Sequence, residues 1–254
     1  MRACVCLPTY NERENLEAML RALEAVLGAD DRVLVIDDNS PDGTGEIADR
    51  LAKELGSVDV LHRERKEGLG AAYVAGFRWA LEHDAELVLE MDCDFSHNPA
   101  DVARLIEATA DADMVLGSRY VEGGGTRDWS SIRRLISTGG SLYARTLLRV
   151  PIRDLTGGFK CYRRQVIETI ELDTISARGY AFQIETTYRA LRASFSVKEI
   201  PIVFSDRAAG GSKMGKRIVL EAIWKVPALK LGHWRPRAAE DNAKRNNRFS
   251  TRSR

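Results

Sequence analysis

A chain of 254 residues, 44% hydrophobic and 30% charged, is long enough to bury a core without disulfide staples and too apolar to be disordered. It reads as one large globular domain of nearly balanced charge, net +1. No run approaches the ~18 apolar residues that a membrane span needs, and the few apolar residues before Asn11 are too short for a signal-peptide core, so the chain is expected not to cross a membrane by itself. Cys4, Cys6, Cys93 and Cys161 have neither CxxC nor zinc-finger spacing, which fits small buried hydrophobes in a reducing, cytoplasmic compartment.

The chain opens with a β-like run over 3–7 that ends at Pro8-Thr9-Tyr10-Asn11-Glu12. Leu16, Met19, Leu20, Leu23 and Leu27 then repeat at helical spacing until Gly28. A strand over 32–36 runs into Asp37-Asp38-Asn39-Ser40-Pro41-Asp42-Gly43-Thr44 and a helix to about Leu55. A third strand over 58–61 and a helix over 68–83 follow. A fourth strand over 86–91 ends in Asp92-Cys93-Asp94. Four rounds of strand, loop and helix predict an α/β fold: an open, mostly parallel, Rossmann-like sheet flanked by helices. Ligands of such sheets sit beyond the carboxyl ends of the strands, so residues 8–12, 37–38 and 92–94 converge on one rim.

After about residue 117 the alternation stops. A Gly-rich stretch at 123–125, a helix over 132–148, the run Asp154-Leu155-Thr156-Gly157-Gly158-Phe159, a helix over 182–192 and a late strand over 198–204 predict an acceptor side of the same domain. Residues 205–254 hold 13 Lys and Arg against 4 Asp and Glu, a net +9, whereas residues 1–204 hold 25 against 33, a net −8. A basic end on an acidic body suits an anionic partner such as a phosphate, a lipid headgroup or a nucleic acid; residues 233–254 are expected to be a disordered basic tail.

Asp92 and Asp94, two apart at a strand end, can jointly reach a divalent cation of the Mg²⁺ or Mn²⁺ type, with Ser96 adding an oxygen or His97 a nitrogen. A solvated turn is the competing reading. Asp37-Asp38 occupies the place where nucleotide-binding α/β folds hold a base or ribose, while Asp42 suits a helix N-terminus. Gly68-Leu69-Gly70-Ala71-Ala72-Tyr73 fails as a dinucleotide fingerprint, because its third glycine is Tyr73 and it follows the third strand; it serves a tight turn instead. Arg119, Arg207 and Lys213 are loop cations suited to phosphate, and the glycine-rich basic stretch 205–213 reads as a flap over one or as a solvated loop. Residues 218–234, with Trp224, Pro227 and Trp234, form either an interfacial helix or a core helix on the sheet.

Together, residues 8–12, 35–44, 91–97 and 117–120 resemble the polyprenol (dolichol) phosphate mannosyltransferases, inverting glycosyltransferases of the GT-A fold. Residues 154–159 and 179–185, Asp206-Arg207 and Ser212-Lys213 extend the resemblance to about residue 217, in the family's order and spacing. It implies one GT-A domain over 1–232, with a nucleotide-binding half (1–117) and an acceptor half (118–232). It also implies metal-dependent transfer of mannose from GDP-mannose to a polyprenyl phosphate. Pro8, Tyr10, Glu12, Ile36 and Asp38 would hold the guanosine. Asp92, Cys93 and Asp94 would contact the donor, and Asp94 with Ser96 would hold Mg²⁺ or Mn²⁺. Arg119, Arg207 and Lys213 would bind donor diphosphate or acceptor phosphate. Cys93 stands where the family usually has Ala. A membrane surface or a membrane-protein partner, at the cytoplasmic face, would supply the lipid; nucleic acid is not an expected partner. The rival readings are a sister transferase using another UDP- or GDP-sugar and a non-catalytic nucleotide-sugar sensor, which the intact Asp92/Asp94 pair disfavours.

Overall fold

A computed structural model describes residues 2–175, 179–206 and 216–232. The expected alternation is present as β1 (Ala3–Thr9), α1 (Leu16–Glu24), β2 (Arg32–Asp37), α2 (Thr44–Leu55), β3 (Val58–His62), α3 (Leu69–Glu82) and β4 (Leu87–Glu90). It runs one round further than expected, through α4 (Asp101–Ala108) and β5 (Met114–Ser118). Then come β6 (Gly125–Thr126), α5 (Ser131–Leu148), β7 (Lys160–Arg163), α6 (Arg164–Thr169), a 3₁₀ turn at Leu172–Thr174, α7 (Tyr180–Arg192), β8 (Val197–Pro201), β9 (Val203–Phe204) and α8 (Lys216–Leu231).

The main sheet has seven strands in the order β3-β2-β1-β4-β7-β5-β8. All neighbours are parallel except β7, which lies antiparallel between β4 and β5. Strand order reverses between β1 and β4, and at such a switch point the loops diverge to leave a crevice. The late strand expected over 198–204 is two strands. Pro201, which lacks an N–H, ends β8, and Val203–Phe204 pairs instead with β6 in a small second sheet.

Central strands are buried on both faces and therefore read as continuous apolar runs. One core holds Cys4, Cys6, Ile36, Val88 and Tyr162 under α3 and α7; the other holds Val5, Leu7, Val35 and Leu89 under α1, α2 and α4. Cys4 and Cys6 share the first face as small hydrophobes, as their spacing predicts, and all four cysteines are free and buried. Gly68 enters α3 at φ 105°, a backbone that suits glycine. Gly76 lets α3 close on the sheet, since a Cβ there would collide with Ile36 Cδ1 and lie 3.2 Å from Cys6 Sγ.

Among the described residues no helix is long and apolar enough to cross a membrane. The helix expected over 218–234 is α8. It packs on α5 and α7 and buries Val226, yet leaves Trp224 and Leu231 exposed, so it is neither wholly core nor wholly free. Arg207, Lys213, Trp234 and the expected tail over 233–254 lie outside the described residues.

Candidate active site

The carboxyl ends of β1, β2 and β4 are tied into one rim by short polar bonds. Thr9 pairs with Asp37 in the sheet register, its hydroxyl donates to Asp37 Oδ1 at 3.2 Å, and the Asp38 N–H donates to the Thr9 carbonyl at 3.1 Å. Asp37 also accepts from the Ser40 N–H and hydroxyl, at 3.1 and 2.5 Å, so its carboxylate shapes the turn. Asp42 accepts from the N–H and hydroxyl of Thr44 and from the Arg13 N–H, the helix-entry role its position suggests; these bonds hold its carboxyl below the ordinary range against the effect of burial.

Asp38, level with Asp37 but turned into the rim, is buried and paired with Arg63, the residue just after β3. Burial lifts the Asp38 carboxyl above its usual range against the pull of Arg63 and Lys66. Lys66 Nζ stands 3.7 Å from the Tyr10 ring centroid, and Glu12 is fixed by its N–H to Thr44 Oγ1 (3.0 Å) and by Asn15 Nδ2 donating to Glu12 Oε2 (2.9 Å). Arg63 and Lys66 were not visible as site residues in the sequence; only the β2–β3 register brings them beside Asp38 and Tyr10. The Ile36 side chain is fully buried against α3, so any part it takes in base recognition is confined to its main chain.

The loop after β4 is the sharpest part of the rim. Phe95 turns it through a left-handed conformation (φ 58°), a local strain that tertiary contacts must hold. Tyr73 OH donates to Asp92 Oδ1 at 3.4 Å, and the Ser96 N–H donates to Asp94 Oδ1 at 3.0 Å. Asp94 and Ser96 are both buried, and Ser96 Oγ has no hydrogen-bond partner among the described residues. His97 does not supply the metal-ligand nitrogen that its sequence position allowed. Its Nδ1 accepts the Asp92 N–H (3.4 Å) and its ring stacks on Phe159 (4.8 Å), while burial drives its pKa down to about 4. It is a neutral brace beneath the loop. Cys93 is buried, and its thiol is pushed well above the ordinary range by burial and by the charges of Glu12, Asp94 and Asp92.

A divalent cation fits these residues. The donor set is all oxygen, and an orphaned, buried hydroxyl beside a carboxylate is a group that a cation would satisfy. Among the described residues no group of three or more His, Cys, Asp or Glu could hold a metal.

Across the crevice, Arg119 follows β5. It was expected as a loop cation facing the rim; it is buried and clamped. Asp154 Oδ2 accepts its N–H and Nε at 3.0 and 2.7 Å, Asp154 Oδ1 accepts Nη2 at 2.6 Å, and Thr156 Oγ1 accepts Nη2 at 2.9 Å. The guanidinium carbon lies 5.1–5.5 Å from the ring centroids of Tyr120, Trp129 and Phe204. His97 feels the charges of Asp94, Arg119 and Asp154, so the aspartate loop and the guanidinium both lie near it.

The sequence pattern described as Glycosyl transferase family 2 matches residues 4–171, which carries the whole rim. The chain belongs to glycosyltransferase family 2. This glycosyltransferase is 47% identical over 226 residues to the undecaprenyl-phosphate mannosyltransferase of Micrococcus luteus, covering 89% of this chain and 93% of that protein. It is 46% identical over 227 residues to the polyprenol monophosphomannose synthase of Mycolicibacterium smegmatis, covering 89% and 85%. Its fold resembles glucosyl-3-phosphoglycerate synthase from Mycobacterium tuberculosis, solved with Mn²⁺, UDP and glucosyl-3-phosphoglycerate. There the TM-score is 0.65 at 18% identity, over 90% of this chain and 79% of that one. The same enzyme with Mg²⁺ and UDP gives 0.65 at 17% identity. The expected single-domain GT-A architecture is the observed one.

Proposed function

We propose that this glycosyltransferase moves mannose from GDP-mannose to a polyprenyl phosphate, with inversion at the sugar carbon and a divalent cation, Mg²⁺ or Mn²⁺, at the donor. The observation that carries the reading is the pairing of a buried Asp94–Ser96 oxygen set, one member unsatisfied, with a clamped guanidinium across the crevice. Identity near one half to two lipid-phosphate mannosyltransferases over most of their lengths supports the acceptor and the sugar.

In this reading residues 1–117 hold the donor and residues 118–232 the acceptor. Tyr10, Glu12 and Asp38 line the guanosine end, with Pro8 and the Ile36 main chain behind them, and Asp38 is presented by Arg63. Asp92 and Asp94, with small Cys93 between them, face the diphosphate, and Asp94 with Ser96 holds the cation, which would offset charge on the leaving diphosphate when bound. Asp154 and Thr156 fix Arg119 in one orientation before substrate arrives, so that orientation costs no reorganisation during reaction. Arg207 and Lys213 are assigned the remaining phosphate charge. The acceptor phosphate, with a second pKa near ~6, is largely dianionic at neutral pH and needs no general base. The protein works at the cytoplasmic face of a membrane, held by the lipid surface or by a membrane-protein partner, and nucleic acid has no part in it.

Radiolabel transfer from GDP-mannose to polyprenyl phosphate in detergent, with Mg²⁺ or Mn²⁺ and with UDP-glucose as rival donor, tests the reading. Wild type makes labelled lipid from GDP-mannose alone, and Asp94→Ala loses about a hundredfold or more while keeping the wild-type melting temperature. Label from UDP-glucose instead would transfer the assignment to the sister enzyme, and an α-linked product would overturn inversion.

A further inference from the structure

Strand alternation continues past the end of β4. Leu87, Leu89, Met91 and Cys93 lie in the core under α1, α2 and α4, so the residues between them, Val88, Glu90 and Asp92, fall on the opposite face, under α3 and α7. Each of the two carboxylates on that face meets a tyrosine hydroxyl. Tyr162 OH donates to Glu90 Oε1 at 2.6 Å, and Tyr73 OH donates to Asp92 Oδ1 at 3.4 Å. Glu90 is fully buried, whereas Asp92 is half-buried on the rim. The first bond satisfies an acid of the core. The second reaches into the site.

The run from Gly68 to Tyr73, which the donor reading leaves unused, is built to deliver that hydroxyl. Gly68 starts α3, and Gly76, almost one turn beyond Tyr73 on the same side, lets the helix close on Ile36 and Cys6. The Tyr73 ring is fully buried. It stacks on Phe182 of α7, with centroids 5.9 Å and planes 9° apart, and its centroid lies 6.0 Å from that of Phe77. A phenylalanine would fill this aromatic layer equally well, so packing alone does not account for the hydroxyl. Burial and the charge of Asp92 raise the phenol's pKa well above its ordinary value, so it stays protonated and can donate. The main chain of Asp92 has a separate brace, since its N–H donates to His97 Nδ1.

We propose that Tyr73 is a positioning residue of the donor site, whose hydroxyl holds the Asp92 carboxylate in the orientation from which it serves the donor diphosphate. This rests on the donor reading above and adds the group that aims one of its carboxylates. A half-buried aspartate otherwise exchanges among staggered rotamers. A ring packed between α3 and α7 cannot follow it, so the hydroxyl is a fixed point and the carboxylate is set before the nucleotide arrives. A carboxylate acts on a diphosphate through the cation that the diphosphate carries, so the effect of Tyr73 belongs to the metal-bound end of the nucleotide and not to its base.

The test is a double-mutant cycle on nucleotide binding by the full-length protein, titrated calorimetrically with GDP and with GMP in Mn²⁺. Tyr73→Phe weakens GDP binding about fivefold and changes binding of GMP, which lacks the second phosphate, by less than about twofold. In an Asp92→Ala background the same substitution alters GDP binding by less than about twofold, because the bond it removes is already gone. A merely structural role would weaken GDP and GMP alike and would persist without Asp92. Unchanged GDP binding by Tyr73→Phe, equal losses for the two nucleotides, or an undiminished loss in the Asp92→Ala background would each overturn the proposal. Because the titration measures no transfer, an inactive wild type with an intact cycle would count against the enzymatic reading alone. A wild type that binds no GDP would overturn the donor reading and this proposal with it.

Discussion

Two arginine–carboxylate pairs stand on opposite sides of the β1/β4 switch point, and they are built differently. On one side Arg63 meets the buried Asp38 and also the exposed Glu67, at 3.0 Å. On the other side Arg119 meets Asp154 with two parallel bonds, both partners deeply buried and ringed by aromatic groups. The first guanidinium has a second carboxylate, the exposed Glu67, to answer it when Asp38 turns to a ligand. The second is part of the fold itself, since a charge taken out of water must keep its partner. Residues 1–117 present an arginine shared between two carboxylates, and residues 118–232 hold the carboxylate that clamps the other arginine.

The largest effect should come from breaking the fixed pair. Asp154→Asn strands a buried guanidinium and is expected to cost ~3–5 kcal/mol in urea unfolding, whereas Asp38→Asn costs on the order of 1–2 kcal/mol because Glu67 still answers Arg63. Equal losses would mean that the two sides are not distinct.

A second contrast lies in Lys160, a fully buried lysine of β7 whose Nζ donates to the Gln183 carbonyl (2.7 Å) and to Thr186 Oγ1 (3.2 Å). Burial lowers its pKa from 10.5 to about 8, against the opposing charges of Glu90 and Asp154. Between those two values the unfolded chain still binds the proton that the native protein has released, so stability rises with pH through that window. Wild type should gain roughly 1–3 kcal/mol relative to Lys160→Met from pH ~8 to ~10.5 in urea titrations; parallel curves would place the amine in a polar environment. The smallest effect concerns α5. Its N-cap Ser130 accepts the Arg133 N–H at 3.3 Å, and Ser130→Ala should cost ~1 kcal/mol of thermal stability without altering GDP binding.

The same division governs what could be read from the sequence. β1 to β4 were legible because apolar runs, glycine stops and helical spacing all agree, and the convergence of Glu12, Asp38, Asp92 and Asp94 follows from strand ends alone. β7 was not legible: Lys160-Cys161-Tyr162-Arg163 has two charged residues in four, and only its position between β4 and β5 makes it a strand. The clamp on Arg119 was missed for a related reason. Asp154 lies in a loop far along the chain, and only the fold sets it under the end of β5. His97 was read as a possible ligand because its neighbours are acidic, but the ring turns towards Phe159 and its chemistry there is that of a packed aromatic. α5 was legible as a helix, and it turns Ser141, Ala144 and Leu148 inward.

The antiparallel strand in the middle of the sheet also dictates an order of assembly. Met114 of β5 pairs with Tyr162 of β7, and β4 reaches β5 only through that strand. A chain emerging at ~5–20 residues per second therefore holds β4 and β5 with bare edges for roughly 2–10 s before the strand that joins them is made. Vectorial synthesis of this protein passes through a stage with two sticky β-edges, a stage at which chaperones have a target.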